Sequence, residues 1–315
     1  MPLDPGRFAR PCGPMERKDG MDAFGAVALS LFAIFLAFNQ VVIKVLNDGF
    51  QPVFGAGFRS FGAVFCLWLW LRLRGIPLDL GGSRVAFWGV ISGSLFALEF
   101  LCLFVALDLT TVSRSSVIFY SMPVWMALMA HLFSPGDRLT PQKSAGLALA
   151  MAGVGLAMVG RGEGQGSLLG DLAALGAAVL WAATGLITKV SPLQTLRPEV
   201  QLFWHVAISA PLLLLAAPFF GPVLRDPGWL EISAMAWQIA VVVTAGFVFW
   251  LWLLSIYPAS GVASFSFLSP VFGVVFGWAL MGDRVGPSLI LALVLVALGL
   301  VLINAAPVRF RRRSG

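Results

Sequence analysis

Two ionisable residues, Arg59 and Glu99, stand inside long apolar stretches of this 315-residue chain. A charged side chain in hydrocarbon costs at least about 2.5 to 3.5 kcal/mol on insertion scales, so each needs a partner, a wet cavity or a function. If the stretches are membrane-crossing helices, Arg59 lies seven residues after Pro52 and Glu99 eight residues before Leu107. At about 1.5 Å per residue these offsets put them roughly 10 and 12 Å below the same face. Equal depth allows a buried pair. Arg59 could take a carboxylate in a bidentate way, and Glu99 could hold an amine or a coupling proton. The same spacing also fits a salt bridge that merely fixes two helices. Asn39 and Tyr120 fall at similar depth and would complete one polar cluster, and Ser92 shares the Glu99 face one heptad earlier.

The elements that position these groups follow from composition. Residues are 59% hydrophobic and only 11% charged, far from the roughly one-quarter charged that soluble domains carry. A mean hydropathy of +0.90 leaves too little polar surface to cover a water-facing globule. Apolar segments at 24–46, 52–71, 85–107, 112–133, 143–160, 168–190, 198–219, 235–256, 259–281 and 287–306 each approach spanning length. The expected fold is therefore all-α and integral to the membrane, with ten transmembrane helices. A net charge of +6 would raise the question of nucleic acid in a soluble protein. Here the basic residues sit in the tails and in alternate loops. Arg72, Arg74, Arg84, Lys143, Lys189, Arg197 and both tails fall on one side, whereas Lys44, Arg114, Arg161, Arg225 and Arg284 remain for the other. The positive-inside rule then places both termini in the cytoplasm, in a cytoplasmic (inner) membrane.

An internal repeat organises the chain. Ser121-Met122-Pro123-Val124 leads to Gly136-Asp137-Arg138 and Pro141; Leu268-Ser269-Pro270-Val271 leads to Gly282-Asp283-Arg284 and Pro287. In the same register Asn39 and Lys44 match Thr184 and Lys189, Arg59 matches His205, and Gly153 matches Gly299. Residues 22–162 and 168–306 read as two five-helix repeats between a tail at 1–21 and a basic tail at 307–315. An odd number of helices per repeat makes the copies inverted, which is the architecture of transporters with a midplane substrate site.

On these residues the chain resembles the drug/metabolite transporter superfamily, specifically its ten-helix EamA-type members. The resemblance rests on Pro123 and Pro270, the Gly-Asp-Arg turns, Gly146 and Gly153, and Gly170-Asp171 followed by Trp181 and Lys189. Asp replaces the usual Glu of that turn in both copies, which keeps the charge. The resemblance implies export or exchange of small metabolites such as amino acids through a central cavity lined by both halves. It does not name the cargo.

Further candidates come from polar and aromatic residues within spans. His205, the counterpart of Arg59, lies beside Trp204 and Gln201 and could line an inner vestibule or titrate near neutral pH. Glu99 has only Gly246 as its counterpart, so the chemistry breaks the symmetry of the scaffold. Trp181 beside Thr184, and Trp250 with Phe247, Phe265 and Phe267, could face an apolar part of a substrate. Pro123 and Pro270 each should remove a backbone hydrogen bond in mid-membrane and are hinge candidates. Cys12, Cys66 and Cys102 have no metal-ligand spacing, and neither a metal nor another cofactor is expected. The partners expected are a small-molecule substrate, lipid and, through Glu99, protons. There is no Gly-rich loop followed by Lys-Ser/Thr for ATP, no His-Glu-x-x-His and no Gly-x-Ser-x-Gly. A lipid-modifying enzyme is therefore the weaker alternative, as is a non-transporting scaffold.

Overall fold

A computed structural model describes residues 22–133, 139–160, 166–257, 265 and 267–304. The tails, the Gly136-Asp137-Arg138 turn and Arg161 lie outside them. The helices are α1 (Ala23–Gly49), α2 (Pro52–Leu73), α3 (Ser83–Leu109), α4 (Val112–Phe119), α5 (Met122–Phe133), α6 (Pro141–Val159), α7 (Leu168–Val190), α8 (Pro198–Ala216), α9 (Trp229–Trp237), α10 (Phe247–Ile256), α11 (Leu268–Met281) and α12 (Pro287–Asn304). A π-helical stretch, Gln238–Gly246, joins α9 to α10. Among the described residues nine helices are long and apolar enough to cross a membrane, counting α4 with α5 and α9 with its continuation as single spans; α11 is a shorter tenth.

Helix starts are written locally. Asp22, Thr111, Thr140 and Ser167 accept from backbone N–H groups of the turns that follow them, and proline opens α2, α6, α8 and α12. In hydrocarbon these caps matter more than in water, because the first N–H groups of a helix have no other partner. Pro123 and Pro270 sit differently from the expectation. The fourth span breaks at Tyr120-Ser121, and each proline lies in the first turn of the helix after it, α5 or α11. A proline there removes no hydrogen bond, because that N–H would have had no intrahelical acceptor.

Repeat-equivalent helices pack in equivalent ways. Helix α1 packs on α11 as α7 packs on α4 and α5, while α2 pairs with its own counterpart α8, and α6 with α12. The bundle is thus two inverted five-helix repeats. The α6–α12 seam depends on small residues: a Cβ at Gly299 would lie 2.6 Å from the Gly146 carbonyl oxygen, and one at Gly153 would lie 2.7 Å from that of Ala292. Close backbone approach of this kind holds helices together where lipid removes the hydrophobic drive between them.

A buried ion pair joins the halves. Arg114 was expected near the outer surface, yet it is fully buried in α4 and paired at 2.7 Å with Asp171 in the first turn of α7. Thr110 Oγ1 donates to the same carboxylate at 3.0 Å, and Arg114 also donates to the Ala157 carbonyl. Nearby, Asp283 accepts from the Ser113 N–H at 2.8 Å. Gly282, at φ 70°, makes the left-handed turn that delivers Asp283 there. The Gly-Asp-Arg turn thereby caps α4 from the other repeat.

At the same end, the segment between α8 and α9 is strapped over the first repeat. The Gln51 N–H donates to the Val223 carbonyl at 3.1 Å and the Arg225 N–H to that of Gly49 at 2.8 Å. The Arg225 guanidinium grips Asp108 with bonds of 2.7 and 3.2 Å. That hydrogen bonding raises the Arg225 pKa, so the grip stays charged at any physiological pH.

Two stability outcomes follow. Gly299→Val overpacks the seam and is expected to cost about 1–3 kcal/mol, read as a lower thermal midpoint in detergent. Arg114→Ala strands a buried carboxylate and is expected to cost about 3–5 kcal/mol, whereas Arg114→Leu combined with Asp171→Leu recovers most of it. An Arg114→Ala protein that melts with the wild type would mean the pair holds nothing together.

Candidate functional site

Arg59 projects from the buried face of α2 that also carries Ala56, Ser60 and Ala63, and Glu99 from the buried face of α3 with Ser92 and Phe96. Both are 1% exposed. Among the described residues they form no ion pair within 4.0 Å. Arg59 Nε and Nη2, and Glu99 Oε2, have no hydrogen-bond partner. The guanidinium instead lies over the Phe100 ring, 3.8 Å from its centroid, and 5.3 Å from that of Phe104.

Phe100 belongs to a ladder on α3. Phe96, Phe100 and Phe104 recur every four residues, which stacks them on one helix face. Ring centroids are 4.6 Å apart for Phe96 and Phe100 and 6.4 Å apart for Phe100 and Phe104. His205 of α8 stacks on Phe96 at 5.0 Å, nearly parallel, and shares a 2.9 Å hydrogen bond with Ser92. The two repeat-equivalent residues, Arg59 and His205, thus lie against one aromatic ladder, His205 on Phe96 and Arg59 on Phe100 and Phe104.

Asn39 and Tyr120 belong to a separate, uncharged network. Gln238, at the start of the π-helical stretch, donates to Asn39 Oδ1. Gln40 accepts from Ser116 at 2.7 Å, and the Tyr120 hydroxyl lies beside the Gln40 and Ser269 side chains. Gln40 Nε2 and Gln238 Oε1 are buried without partners. Among the described residues no hydrogen bond joins this network to Arg59 or Glu99. It draws on α1, α4, α11 and the π-helical stretch, hence on both repeats.

The remaining candidates are engaged elsewhere. The Thr184 hydroxyl donates to the Leu180 carbonyl of its own helix at 2.9 Å. The Gln201 amide donates to the Leu193 and Leu196 carbonyls, closing the α7–α8 connection. Trp181 is half-buried against the large core that includes Phe100 and Tyr120. Trp250 stacks on Phe32 at 5.1 Å, in a small cluster with Leu29, Leu253 and Tyr257.

Sequence reasoning missed Gln40, Gln238, Ser116 and Ser269, and the aromatic ladder. A signal for each existed: amides within otherwise apolar runs for the first two, and the four-residue spacing of phenylalanines around Glu99 for the ladder. It also left Arg114 among the surface charges, where only its lack of an adjacent acid hinted at a distant partner.

Over 307 residues the chain is 27% identical to a probable amino-acid metabolite efflux pump of Escherichia coli (strain K12), covering 95% of this chain and 98% of that protein. It is 28% identical over 311 residues to a protein of the same description from Salmonella typhimurium, covering 95% and 99%. A solved crystal structure has the same fold, with a TM-score of 0.62 at 21% identity over 90% of this chain and 96% of that one. The model of the EamA-like transporter family matches twice, over residues 23–159 and 168–305. The chain therefore belongs to the EamA-like transporter family of the drug/metabolite transporter superfamily and is a membrane transporter, not an enzyme.

Proposed function

We propose that this transporter exports amino acids or closely related zwitterionic metabolites by alternating access, with Arg59 and Glu99 as the pair that receives the cargo. The observation that carries the reading is a buried guanidinium and a buried carboxyl group, on the neighbouring helices α2 and α3, whose Nε, Nη2 and Oε2 atoms have no hydrogen-bond partner. Stability alone would favour either a closed ion pair or apolar residues at these positions, since an uncompensated charge in hydrocarbon is costly. A carboxylate on Arg59 and an ammonium group on Glu99 would relieve both charges at once. The names of the two bacterial relatives support efflux and amino-acid metabolites as the cargo class.

Alternating access draws support from the inverted repeats and from the strap. The Arg225–Asp108 pair is partly exposed, with side chains 38% and 23% accessible. Pairs of that kind contribute about 0–1 kcal/mol, weak enough to open in each cycle. With both termini in the cytoplasm the strap lies on the outer side, and the arrangement corresponds to a state closed to the outside. The chain has no ATP-binding loop, so an ion gradient or substrate exchange drives it, with Glu99 as the acid able to carry a proton.

In proteoliposomes, Arg59→Lys is expected to raise the KM for amino acids about 10- to 100-fold, through loss of bidentate binding. Glu99→Gln is expected to abolish any dependence of flux on a proton gradient. Wild-type kinetics in both variants would refute the site. For the strap, Arg225→Ala is expected to speed labelling of a cysteine placed at Ser60, in a background without native cysteines, by an impermeant thiol reagent applied from outside. Labelling at the wild-type rate would remove the strap from the transport cycle.

A further inference from the structure

The Arg59 guanidinium is buried without an ion-pair partner among the described residues, and an aromatic ring lies under it. An aromatic face is negative and an approaching cation is stabilised over it. Stacking engages only the face of the planar guanidinium. Its five N–H groups point outward in the plane and stay available. Arg59 has this geometry: Cζ lies 3.8 Å from the Phe100 centroid, while Nε and Nη2 have no partner.

We infer that Phe100 is a positioning residue for transport: its ring holds the Arg59 guanidinium by the face, so that the guanidinium edge is presented to the carboxylate of a zwitterionic cargo whose ammonium group meets Glu99. The inference rests on the proposed role of Arg59 and Glu99 in binding. Phe100 is itself fixed from both sides. Phe96 packs on it at 4.6 Å and is covered by His205, and Phe104 stands at 6.4 Å on the other side, beneath the same guanidinium. Without the ring's negative face the guanidinium loses its fixed orientation, and the cargo must order it on binding.

The test is substitution of Phe100 by phenylalanines carrying one, two or three ring fluorines, which nearly preserve shape while draining the negative face. Amino-acid transport is measured in proteoliposomes alongside Arg59→Ala. The expected result is a KM that climbs stepwise with each fluorine, to about tenfold overall, with kcat little changed and the thermal midpoint unmoved. Phe100→Trp is expected to keep a low KM, and Phe100→Leu to match the trifluorinated protein. A KM indifferent to fluorination, while Arg59→Ala abolishes amino-acid transport, would overturn the role of Phe100 and leave the binding site standing. Amino-acid transport that survives Arg59→Ala would overturn the binding site instead. A leucine variant that does not fold leaves the fluorinated series to decide.

Discussion

Inside hydrocarbon a polar group has no water to turn to, so the bundle is organised by where each polar group finds a partner. Two arginines illustrate the two outcomes. Arg114 is met by Asp171 and by the Ala157 carbonyl, and this contact fastens α4 of one repeat to α7 of the other. Arg59 is equally buried, yet it meets an aromatic face and keeps two nitrogens unbonded. The first arrangement has the form of architecture. The second leaves the guanidinium edge free of protein partners at Nε and Nη2.

The scaffold is symmetric and the chemistry is not. Glycines at matched positions seam α6 to α12, and the Asp283 turn of one repeat caps a helix of the other. Within that frame Arg59 has a histidine as its twin, and Glu99 has a glycine. On the proposed reading, nearly equivalent scaffolds on both sides of the midplane supply two conformations of similar energy, and the Arg59 and Glu99 positions supply one place for cargo. The strap formed by residues 221–228 closes over one end of the first repeat. Its partly exposed ion pair is the kind of contact that a few kcal/mol of binding energy could release.

The fold was legible in the sequence because hydropathy and spacing constrain helices directly: apolar runs of about 20 residues, proline and serine starts, and a doubled motif. Arithmetic on rise per residue put Arg59 and Glu99 at equal depth, and both are buried on helices that touch, α2 and α3. What arithmetic could not supply was azimuth. Asn39 shares their depth but faces Gln238, a residue 199 positions away, across a π-helical stretch that no periodicity announces. Thr184 and Gln201 look polar in sequence but spend their hydrogen bonds on nearby carbonyls. Pro123 and Pro270 read as kinks within helices because the breaks before them leave no mark other than the prolines themselves.

The central claim is that Arg59 of α2 and Glu99 of α3 together bind a zwitterion, the first through its carboxylate and the second through its ammonium group. Competition in counterflow tests it most directly, using a labelled amino acid that the wild-type protein carries, challenged with three compounds sharing its side chain. One is the amino acid itself, one its decarboxylated amine and one its acid without the amino group. If both charges are read, only the intact amino acid competes strongly and the other two fall behind by tenfold or more. Competition by the amine or the acid as strong as that by the amino acid would contradict the claim, since one of the two buried charges would then have no part in binding.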